Sequence, residues 1–221
     1  MNLKEWMLIY KNICSDLGID PDTDLLSSFL LSRFVGKEKL LPLKNENIYV
    51  IGNAPWISEI IDEVPESVTS VVADSAIDAY FKYRGPPDYI VSDLDGNVDL
   101  IEKCKNEGSK IIIHAHGDNM DKIMKYSYIF DDQTIGTTQN LPLKNVYNFF
   151  GFTDGDRAAF IADYLVTENI YLVGFDFEHP SFKQNGDPLR KKKKLGWAKR
   201  LLSKLAEERG SIISDSPIIR I

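Results

Sequence analysis

The stretch with the most chemical promise is residues 89–97, where a short apolar run ends in two aspartates one residue apart, Asp93 and Asp95. Side chains at positions i and i+2 leave a strand on the same face, so both carboxylates point into one small volume. Two such carboxylates repel each other unless a cation such as Mg²⁺ or Mn²⁺ binds both. Turn chemistry is the alternative, because Asp-Gly is a common loop pair. The position after an apolar run favours a metal site.

A second polar group, made of His114, His116, Asp118 and Asn119, follows the next strand-like run at 110–116. We expect Asp118 to be a third metal carboxylate, Asn119 to contact the nucleotide, and His116 to bind phosphate or act as general base. Oxygen donors dominate this neighbourhood and suit Mg²⁺ better than Zn²⁺. The spacing of this group could suit a metal, but alternating histidines after a strand often split between its two faces, so a merely structural role for His114 is at least as well supported.

Other polar residues follow the remaining strand-like runs, and ligands of open parallel sheets bind beyond the carboxyl ends of the strands. The turn at 52–55 leads from a strand to a helix, and its backbone N–H groups are expected to face an anion. Neither a G-x-G-x-x-G motif nor a P-loop is present. The predicted binding residues here are Gly52, Asn53, Ala54, Asp74, Ser75, Asp154, Asp156, Arg157 and Asp176.

A run of five cations at 190–194 opens a late helix. Five consecutive cations cannot all face one site, and a solvated charge run is the simplest interpretation. Because the rest of the chain is acidic and a triphosphate needs counter-charge, we expect one or two of them, Lys192 included, to bind phosphates. The preceding loop at 179–188 would then act as a lid.

The elements that must position these residues alternate along the chain. Apolar runs predict strands at 48–52, 68–74, 88–93, 110–116, 145–150 and 170–176. Helices are predicted at 55–62, 75–84, 97–107, 118–125, 154–167 and 191–209, and an edge strand pair at 211–221. This order predicts an α/β fold whose largely parallel sheet carries helices on both faces.

The first 45 residues differ from the rest in texture and predict a small helical appendage to a catalytic domain at 46–221. Helical spacing covers 3–17 and Gly18 is a natural stop. Asp20 and Pro21 then predict a second helix that ends at about Val35. These helices carry no catalytic signal, and they are expected to pack on the main domain or to form a homodimer.

Bulk properties exclude several classes of protein. The net charge of −7 disfavours nucleic-acid binding, and two cysteines give neither a disulfide framework nor a cysteine metal site. No apolar run approaches the ~20 residues of a membrane span. The first ten residues lack the apolar block of a signal peptide, so we expect a cytoplasmic protein.

The motifs "ADSAIDAYFKYRGPPDYIVSDLDGN", "HAHGDN", "GFTDGDRA" and "VGFDF" together resemble the archaeal 6-hydroxymethyl-7,8-dihydropterin pyrophosphokinase family, over roughly residues 47–205. The layout is similar, more remotely, to thiamine pyrophosphokinases, and it implies a Rossmann-like three-layer fold of that type. The turn at 116–119 departs from the thiamine enzymes, which puts thiamine as acceptor in doubt.

The resemblance implies a Mg²⁺-dependent transfer of diphosphate from ATP to the hydroxymethyl group of a reduced pterin, with release of AMP. The pathway would be tetrahydromethanopterin or folate-type pterin biosynthesis. Asp93, Asp95 and Asp118 would hold the metal, and Asp74 would bind the amino-pyrimidine edge of the pterin. The turn at 154–157 would serve the adenosine or the pterin.

Two other functions are considered. A glycosyltransferase also uses a D-x-D motif after a strand to hold a metal and a nucleotide sugar, and it would release no AMP from ATP. A non-enzymatic nucleotide-binding module would bind nucleotide without turnover, but it has no need for so many carboxylates at one edge.

Overall fold

The computed structural model describes residues 1–43, 46–178 and 187–221, and an eight-stranded sheet forms its centre. The strand order is β6-β5-β4-β3-β2-β1-β7-β8, and every neighbouring pair is parallel except β7 with β8. The strands are β1 (Asn47–Ile51), β2 (Thr69–Ala73), β3 (Tyr89–Ser92), β4 (Lys110–Ala115), β5 (Ile135–Thr138), β6 (Val146–Tyr147), β7 (Asn169–Val173) and β8 (Ile218–Arg220).

Helices cover both faces of this sheet. They are α1 (Leu3–Leu17), α2 (Pro21–Leu31), α3 (Ile57–Ile60), α4 (Ile77–Arg84), α5 (Val98–Asn106), α6 (Met120–Lys125), α7 (Asp154–Tyr164) and α8 (Pro188–Glu208). Helices α1, α7 and α8 pack on one face, and α2 to α6 pack on the other. The prediction of a three-layer α/β fold with a largely parallel sheet is therefore confirmed. Among the described helices, none is both long enough and apolar enough to cross a lipid bilayer.

Helix α7 lies across the middle of the sheet and contacts β1, β2, β3 and β7. Its buried alanines, Ala158, Ala159 and Ala162, are small enough for the helix to approach the strands closely. A capping box formed by Thr153 and Asp156 begins the helix. The first turn of α7 is thereby fixed at the carboxyl ends of the central strands.

The two N-terminal helices follow the sequence-based bounds closely. Helix α1 ends at Leu17 with Gly18 in the left-handed conformation, and Asp20 caps α2 ahead of Pro21. Helix α2 ends at Leu31, before the expected Val35. The helices lie on opposite faces of the sheet, α1 beside α8 and α2 against β4 and β5. A domain boundary after residue 45 and a homodimer through these helices stay predictions.

The structure corrects several element predictions. Strand β5 was not predicted, because its sequence IGTT has one large apolar side chain and a glycine. The strand expected at 145–150 is only Val146–Tyr147. The predicted strand pair at 211–221 is wrong, since β8 is a single strand, although it does lie at the sheet edge and pairs with β7.

Candidate active site

A cavity of about 630 Å³ lies at the carboxyl edge of the sheet, between the ends of β1 and β7. The chain runs from β1 outward to β6 and then returns to β7 on the other side of β1. The connections after these two strands therefore diverge, which opens a crevice at the edge of a parallel sheet. Its lining includes residues 52–55, 153–155, 174–177, Ser75, Asp95, Asp187, Arg190, Lys191, Lys194 and Leu195.

Three carboxylates converge beside this cavity. Asp74 follows β2, Asp93 follows β3, and Asp154 is the first residue of α7. One oxygen from each lies within 4.8 Å of the others. Carboxylate oxygens at such separations are hard donors that suit Mg²⁺, which keeps further positions for phosphate oxygens. We call these three residues the carboxylate cluster.

Asp74 is buried, and one of its oxygens organises the turn after β3. Its Oδ2 accepts hydrogen bonds from Ser92 Oγ at 2.8 Å and from the N–H groups of Asp95 and Gly96 at 3.1 Å each. A side chain at Gly96 would collide with the Asp74 carboxylate. The turn that carries Asp93 is thus fixed directly to its neighbour in the carboxylate cluster.

His116 orients Asp93 from the adjacent turn. The His116 Nδ1 accepts from the Asp118 N–H at 3.3 Å, so a neutral ring carries its proton on Nε2, which lies 3.4 Å from Asp93 Oδ2. Burial opposes ionisation of Asp93, but His116 and the positive charge of Arg157 outweigh it and lower the pKa of the carboxyl below its usual value. The arrangement favours an anionic Asp93 held by His116.

Arg157 is buried and binds the Asp154 carboxylate. Its guanidinium is buried and donates to Asp154 Oδ1 at 3.1 Å, to His114 Nε2 at 2.9 Å and to the carbonyl of Phe152 at 3.1 Å. Since arginine can only donate, His114 Nε2 is an acceptor and the ring proton lies on Nδ1, which donates to Thr137 Oγ1 at 3.1 Å. His114 is therefore a buried structural partner of Arg157.

The electrostatics of this buried group follow from desolvation. Burial raises the pKa of Asp154 well above its usual range, the charge of Asp93 adds to this, and Arg157 opposes it. Burial, followed by the positive charge of Arg157, holds the pKa of His114 well below its usual value. A cation placed in the carboxylate cluster would favour the ionised form of Asp154, because its charge opposes both causes.

Two of the predicted binding residues act within the protein framework. Asp156 accepts from the N–H groups of Phe152 and Thr153, both at 2.7 Å, and so caps α7. Asn119 is buried and donates to the carbonyls of Asp93 at 3.0 Å and of His114 at 2.7 Å. It joins the turn after β3 to the turn after β4.

The turn after β1 lines the cavity, but its amides are largely engaged. The N–H groups of Gly52 and Ala54 donate to the carbonyls of Val173 and Gly174 at 2.8 and 2.9 Å. These two amides therefore do not form the expected anion cradle. Helix α3 behind the turn is only four residues long. An anion in this cavity would instead be bound by side chains.

Those side chains come from the first turns of α8. Arg190, Lys191 and Lys194 line the cavity together with Asp154, whereas Lys192 is exposed on the same helix. Apolar surface comes from Phe175, Phe177 and Leu195. The lid predicted at 179–188 lies almost wholly outside the described residues. The cavity lining thus combines cationic, anionic and apolar side chains.

Two predicted metal ligands lie apart from the carboxylate cluster. The Asp95 carboxylate forms an ion pair with Lys122. Asp118 is exposed, and its Oδ2 lies 3.9 Å from Arg190 Nη2. Asp74 and Asp154, which were predicted to bind substrate, occupy the places next to Asp93. Metal roles for Asp95 and Asp118 remain predictions.

Sequence reasoning missed a set of buried polar residues below the site. Asp24, Gln139 and Asn140 are all buried, the last two immediately after β5. A polar pair after a strand is the signal that marks the other rim residues, and it was lost because β5 itself was not predicted. Asp24 lies on α2, where no local pattern indicates a role.

Comparison with known proteins bears on this geometry. A family model described as 6-hydroxymethylpterin diphosphokinase MptE-like matches residues 29–181. This chain belongs to the 6-hydroxymethylpterin diphosphokinase MptE-like family. The matched residues contain the whole carboxylate cluster, while α8 lies beyond them.

Curated relatives named 6-hydroxymethyl-7,8-dihydropterin pyrophosphokinase support the same family. The protein from Methanocaldococcus jannaschii is 34% identical, over 94% of this chain and 97% of the relative. That from Pyrococcus furiosus is 36% identical over 91% and 93%, and that from Methanothermobacter thermautotrophicus is 32% identical over 96% and 98%. The family resemblance recognised from the motifs is confirmed.

Proposed function

We propose that this protein transfers the β,γ-diphosphate of ATP to the hydroxymethyl group of 6-hydroxymethyl-7,8-dihydropterin, with Mg²⁺ as the metal and AMP as the second product. The observation that carries the proposal is the carboxylate cluster beside a partly cationic cavity, in a chain of the diphosphokinase family. The step would belong to tetrahydromethanopterin or folate-type pterin biosynthesis, and with ATP as donor we expect it to occur in the cytoplasm.

The donor chemistry of the site fits the metal. Asp74, Asp93 and Asp154 offer only oxygen ligands, and their mutual repulsion is relieved by a divalent cation. Bound Mg²⁺ would neutralise phosphate charge and orient the phosphoryl groups for in-line attack. The Asp93 carboxylate is kept anionic by His116, and Asp154 is held in place by Arg157.

The reaction needs little covalent chemistry from the protein. The pterin hydroxyl gives its proton to a base, His116 or an aspartate of the site, and its oxygen attacks the β-phosphorus. The bond between that phosphorus and the α,β-bridging oxygen breaks, and AMP leaves with that oxygen and the electron pair of the bond. Catalysis then depends on position and charge. We propose that Lys191, Lys194 and Arg190, which line the cavity, bind phosphate oxygens there.

The apolar part of the cavity suits a flat heterocycle. Phe175 and Phe177 lie close together there, with ring centroids 6.3 Å apart. Aromatic side chains offer stacking faces to heterocyclic rings. Asp176, whose Oδ2 accepts from Trp56 Nε1 at 3.4 Å, supplies a carboxylate near this surface. We propose that one of the two ring systems binds here.

The test is release of AMP from Mg·ATP, with and without 6-hydroxymethyl-7,8-dihydropterin, and with thiamine as an alternative acceptor. We expect AMP only with the pterin, together with one equivalent of pterin diphosphate. Chelation of divalent metal should abolish it, and added Mg²⁺ should restore it.

A matched variant makes this assay specific to the site. Asp93→Asn removes one ligand charge at nearly constant size, so it should lose AMP release while its circular dichroism spectrum and melting temperature stay close to those of the wild type. Absence of AMP with every acceptor in the wild-type protein would contradict the proposal, and the same preparation should then be assayed with nucleotide sugars.

A further inference from the structure

Asp24 of α2 is a buried carboxylate far in sequence from the site, and its two oxygens serve different parts of the protein. Oδ2 accepts from Tyr10 Oη at 2.6 Å and from Gln139 Nε2 at 2.5 Å. Oδ1 accepts from the backbone N–H of Gly117 at 2.6 Å. Only 1% of Asp24 is exposed, so these hydrogen bonds are shielded from water.

The loop at 116–119 rests directly on α2 at this point. A side chain at Gly117 would collide with the hydroxyl of Thr23, so loop and helix are in contact without a gap. Ser27 Oγ, one helical turn further along, donates to Asn119 Oδ1 at 3.2 Å. Helix α2 therefore holds both ends of the segment that starts at Gly117.

That loop carries the residues that orient Asp93. His116 precedes Gly117 and presents Nε2 to Asp93, and Asn119 donates to the Asp93 carbonyl. We propose that Asp24 is a positioning residue of the active site, which fixes the loop at 116–119 on α2 and thereby sets the place of His116 against Asp93. The consequence for turnover rests on the proposed function.

A purely structural role for Asp24 gives a different expectation. Tyr10 and Gln139 join α1 and the end of β5 to Asp24 Oδ2, and these contacts stabilise the fold without reaching the loop. If they are all that matters, variants of Asp24 and of Tyr10 should change activity only as far as they unfold the protein. The hydrogen bond to Oδ1 therefore represents the positioning role of Asp24, and the hydrogen bonds to Oδ2 represent its structural role.

The experiment compares Asp24→Ala and Asp24→Asn with the control Tyr10→Phe, all assayed well below their melting temperatures. Tyr10→Phe removes one hydrogen bond to Oδ2 and leaves the one to Gly117. Asparagine keeps an acceptor for Gly117, and the Tyr10 hydroxyl and the Gln139 amide can turn to accept from its NH₂ group.

We expect Asp24→Ala to lower kcat on the order of 10- to 100-fold at nearly constant KM for ATP, the loss that misplaced reacting groups produce. Asp24→Asn should recover most of this activity, and Tyr10→Phe should stay within about twofold of the wild type. Equal losses in Asp24→Ala and Tyr10→Phe, or full activity in Asp24→Ala, would overturn the proposal.

Hydrogen exchange provides a readout that does not depend on the assigned reaction. Peptides covering 114–119 should exchange faster in Asp24→Ala than in Tyr10→Phe, while the strands β1 and β7 stay protected in both. If the wild-type protein released no AMP, the proposed function would fail, yet this comparison would still decide the role of Asp24. Unchanged exchange at 114–119 would count against it.

Should Asp24→Ala not fold, Gly117→Ala tests the same contact from the loop. Its added methyl group would meet Thr23 and push the loop away from α2. We expect a fall in kcat of the folded variant, measured well below its own melting temperature, because the displaced loop no longer holds His116 against Asp93. Wild-type kcat in this variant would contradict the proposal.

Discussion

Each edge of the sheet carries a cavity. In the larger of the two, the charged side chains of Arg84 and Asp88 bind groups of the protein itself and do not converge on one point. The cavity at the amino edge, beside the start of β1, β2 and β3, measures about 920 Å³, against about 630 Å³ at the carboxyl edge. At the amino edge, Arg84 donates to the carbonyls of Ile61 and Asp62, and Asp88 accepts from the N–H and hydroxyl of Ser70. Charged groups there hold the fold together.

At the carboxyl edge, by contrast, charged groups of both signs line one cavity. Asp154 contributes a carboxylate to its lining, and Lys191 and Lys194 contribute cations. His116 and Arg157 offset part of the repulsion within the carboxylate cluster, and a bound cation would relieve it further. The comparison teaches that convergence of like charges around an opening marks a site better than volume does.

The largest expected effect is the difference in turnover between variants of one carboxylate at each edge, Asp93 and Asp88. Asp93→Asn should lower turnover on the order of 10²- to 10³-fold, the weight of one preorganised electrostatic group. Asp88→Asn, at the amino edge, should leave kcat unchanged. Pterin-dependent AMP release at saturating substrates measures both. A comparable loss in Asp88→Asn would break the distinction between the edges.

Asp95→Asn sharpens the same comparison within the carboxyl edge. The sequence predicts a metal ligand at Asp95, whereas the structure pairs its carboxylate with Lys122. If the ligands are Asp74, Asp93 and Asp154, then Asp95→Asn should affect the apparent affinity for Mn²⁺ less than Asp154→Asn does. Electron paramagnetic resonance measures the affinity for Mn²⁺. If Asp95→Asn and Asp154→Asn lost it equally, Asp95 would be a metal ligand, as the sequence predicts.

A smaller effect is expected from the cationic side of the cavity. Lys194→Ala should raise the KM for ATP by about 10-fold, because it removes one charge-assisted hydrogen bond. Lys199→Ala, in which an exposed ion pair with Glu178 is lost from the same helix, is the matched control and should leave KM unchanged. Steady-state kinetics with varied ATP separate them, and an unaltered KM in Lys194→Ala would remove that lysine from the phosphate site.

The amino edge should show the opposite response, a loss of stability without a loss of chemistry. Arg84→Ala removes hydrogen bonds to the carbonyls of Ile61 and Asp62, and we expect the free energy of unfolding to fall by about 1–2 kcal/mol. Urea unfolding measures this, and kcat below the melting transition should not change. A reduced kcat at full folding would mean that the amino edge also takes part in catalysis.

The smallest effect concerns the buried layer beneath the carboxyl edge. Because the pKa of His114 is lowered in the folded protein, the unfolded chain binds a proton below about pH 6.5 that the folded chain does not. This His114 contribution removes stability from the metal-free protein as pH falls from 7 to 5, with a slope of up to about 1.4 kcal/mol per pH unit, while the raised pKa of Asp154 acts in the opposite sense and reduces the net change. His114→Gln should flatten this slope in urea unfolding, and identical slopes would contradict the assignment.

The sequence predicted the architecture because buried parallel strands have long β-branched runs, as in β1, β4 and β7. It did not reveal β5, whose buried threonines look like a loop. It named Asp74, Asp93 and Asp154 as site residues but did not group them. Grouping requires knowing that β2 neighbours β3 and that α7 crosses back over both, which is a property of topology.

The role of α2 could not be predicted from local sequence patterns, for a similar reason. The hydrogen bond from Gly117 to Asp24 joins residues 93 positions apart. The capping signals of Asp20 and Pro21 predicted the helix itself, since caps act within a single turn. Which loop the helix supports depends on where β4 ends, and no single segment contains that information.

The pairing of β1 with β7 constrains the order in which the protein folds. Ile48 lies opposite Ile170 and Ile51 opposite Val173, so β1 gains its second neighbouring strand only when the chain has been synthesised past residue 173. Until then β1 is an apolar edge strand, and contacts of such long sequence separation form slowly. Residues 174–177, which follow β7, form part of the lining of the cavity. A nascent chain therefore completes its ligand site as one of the last events of folding.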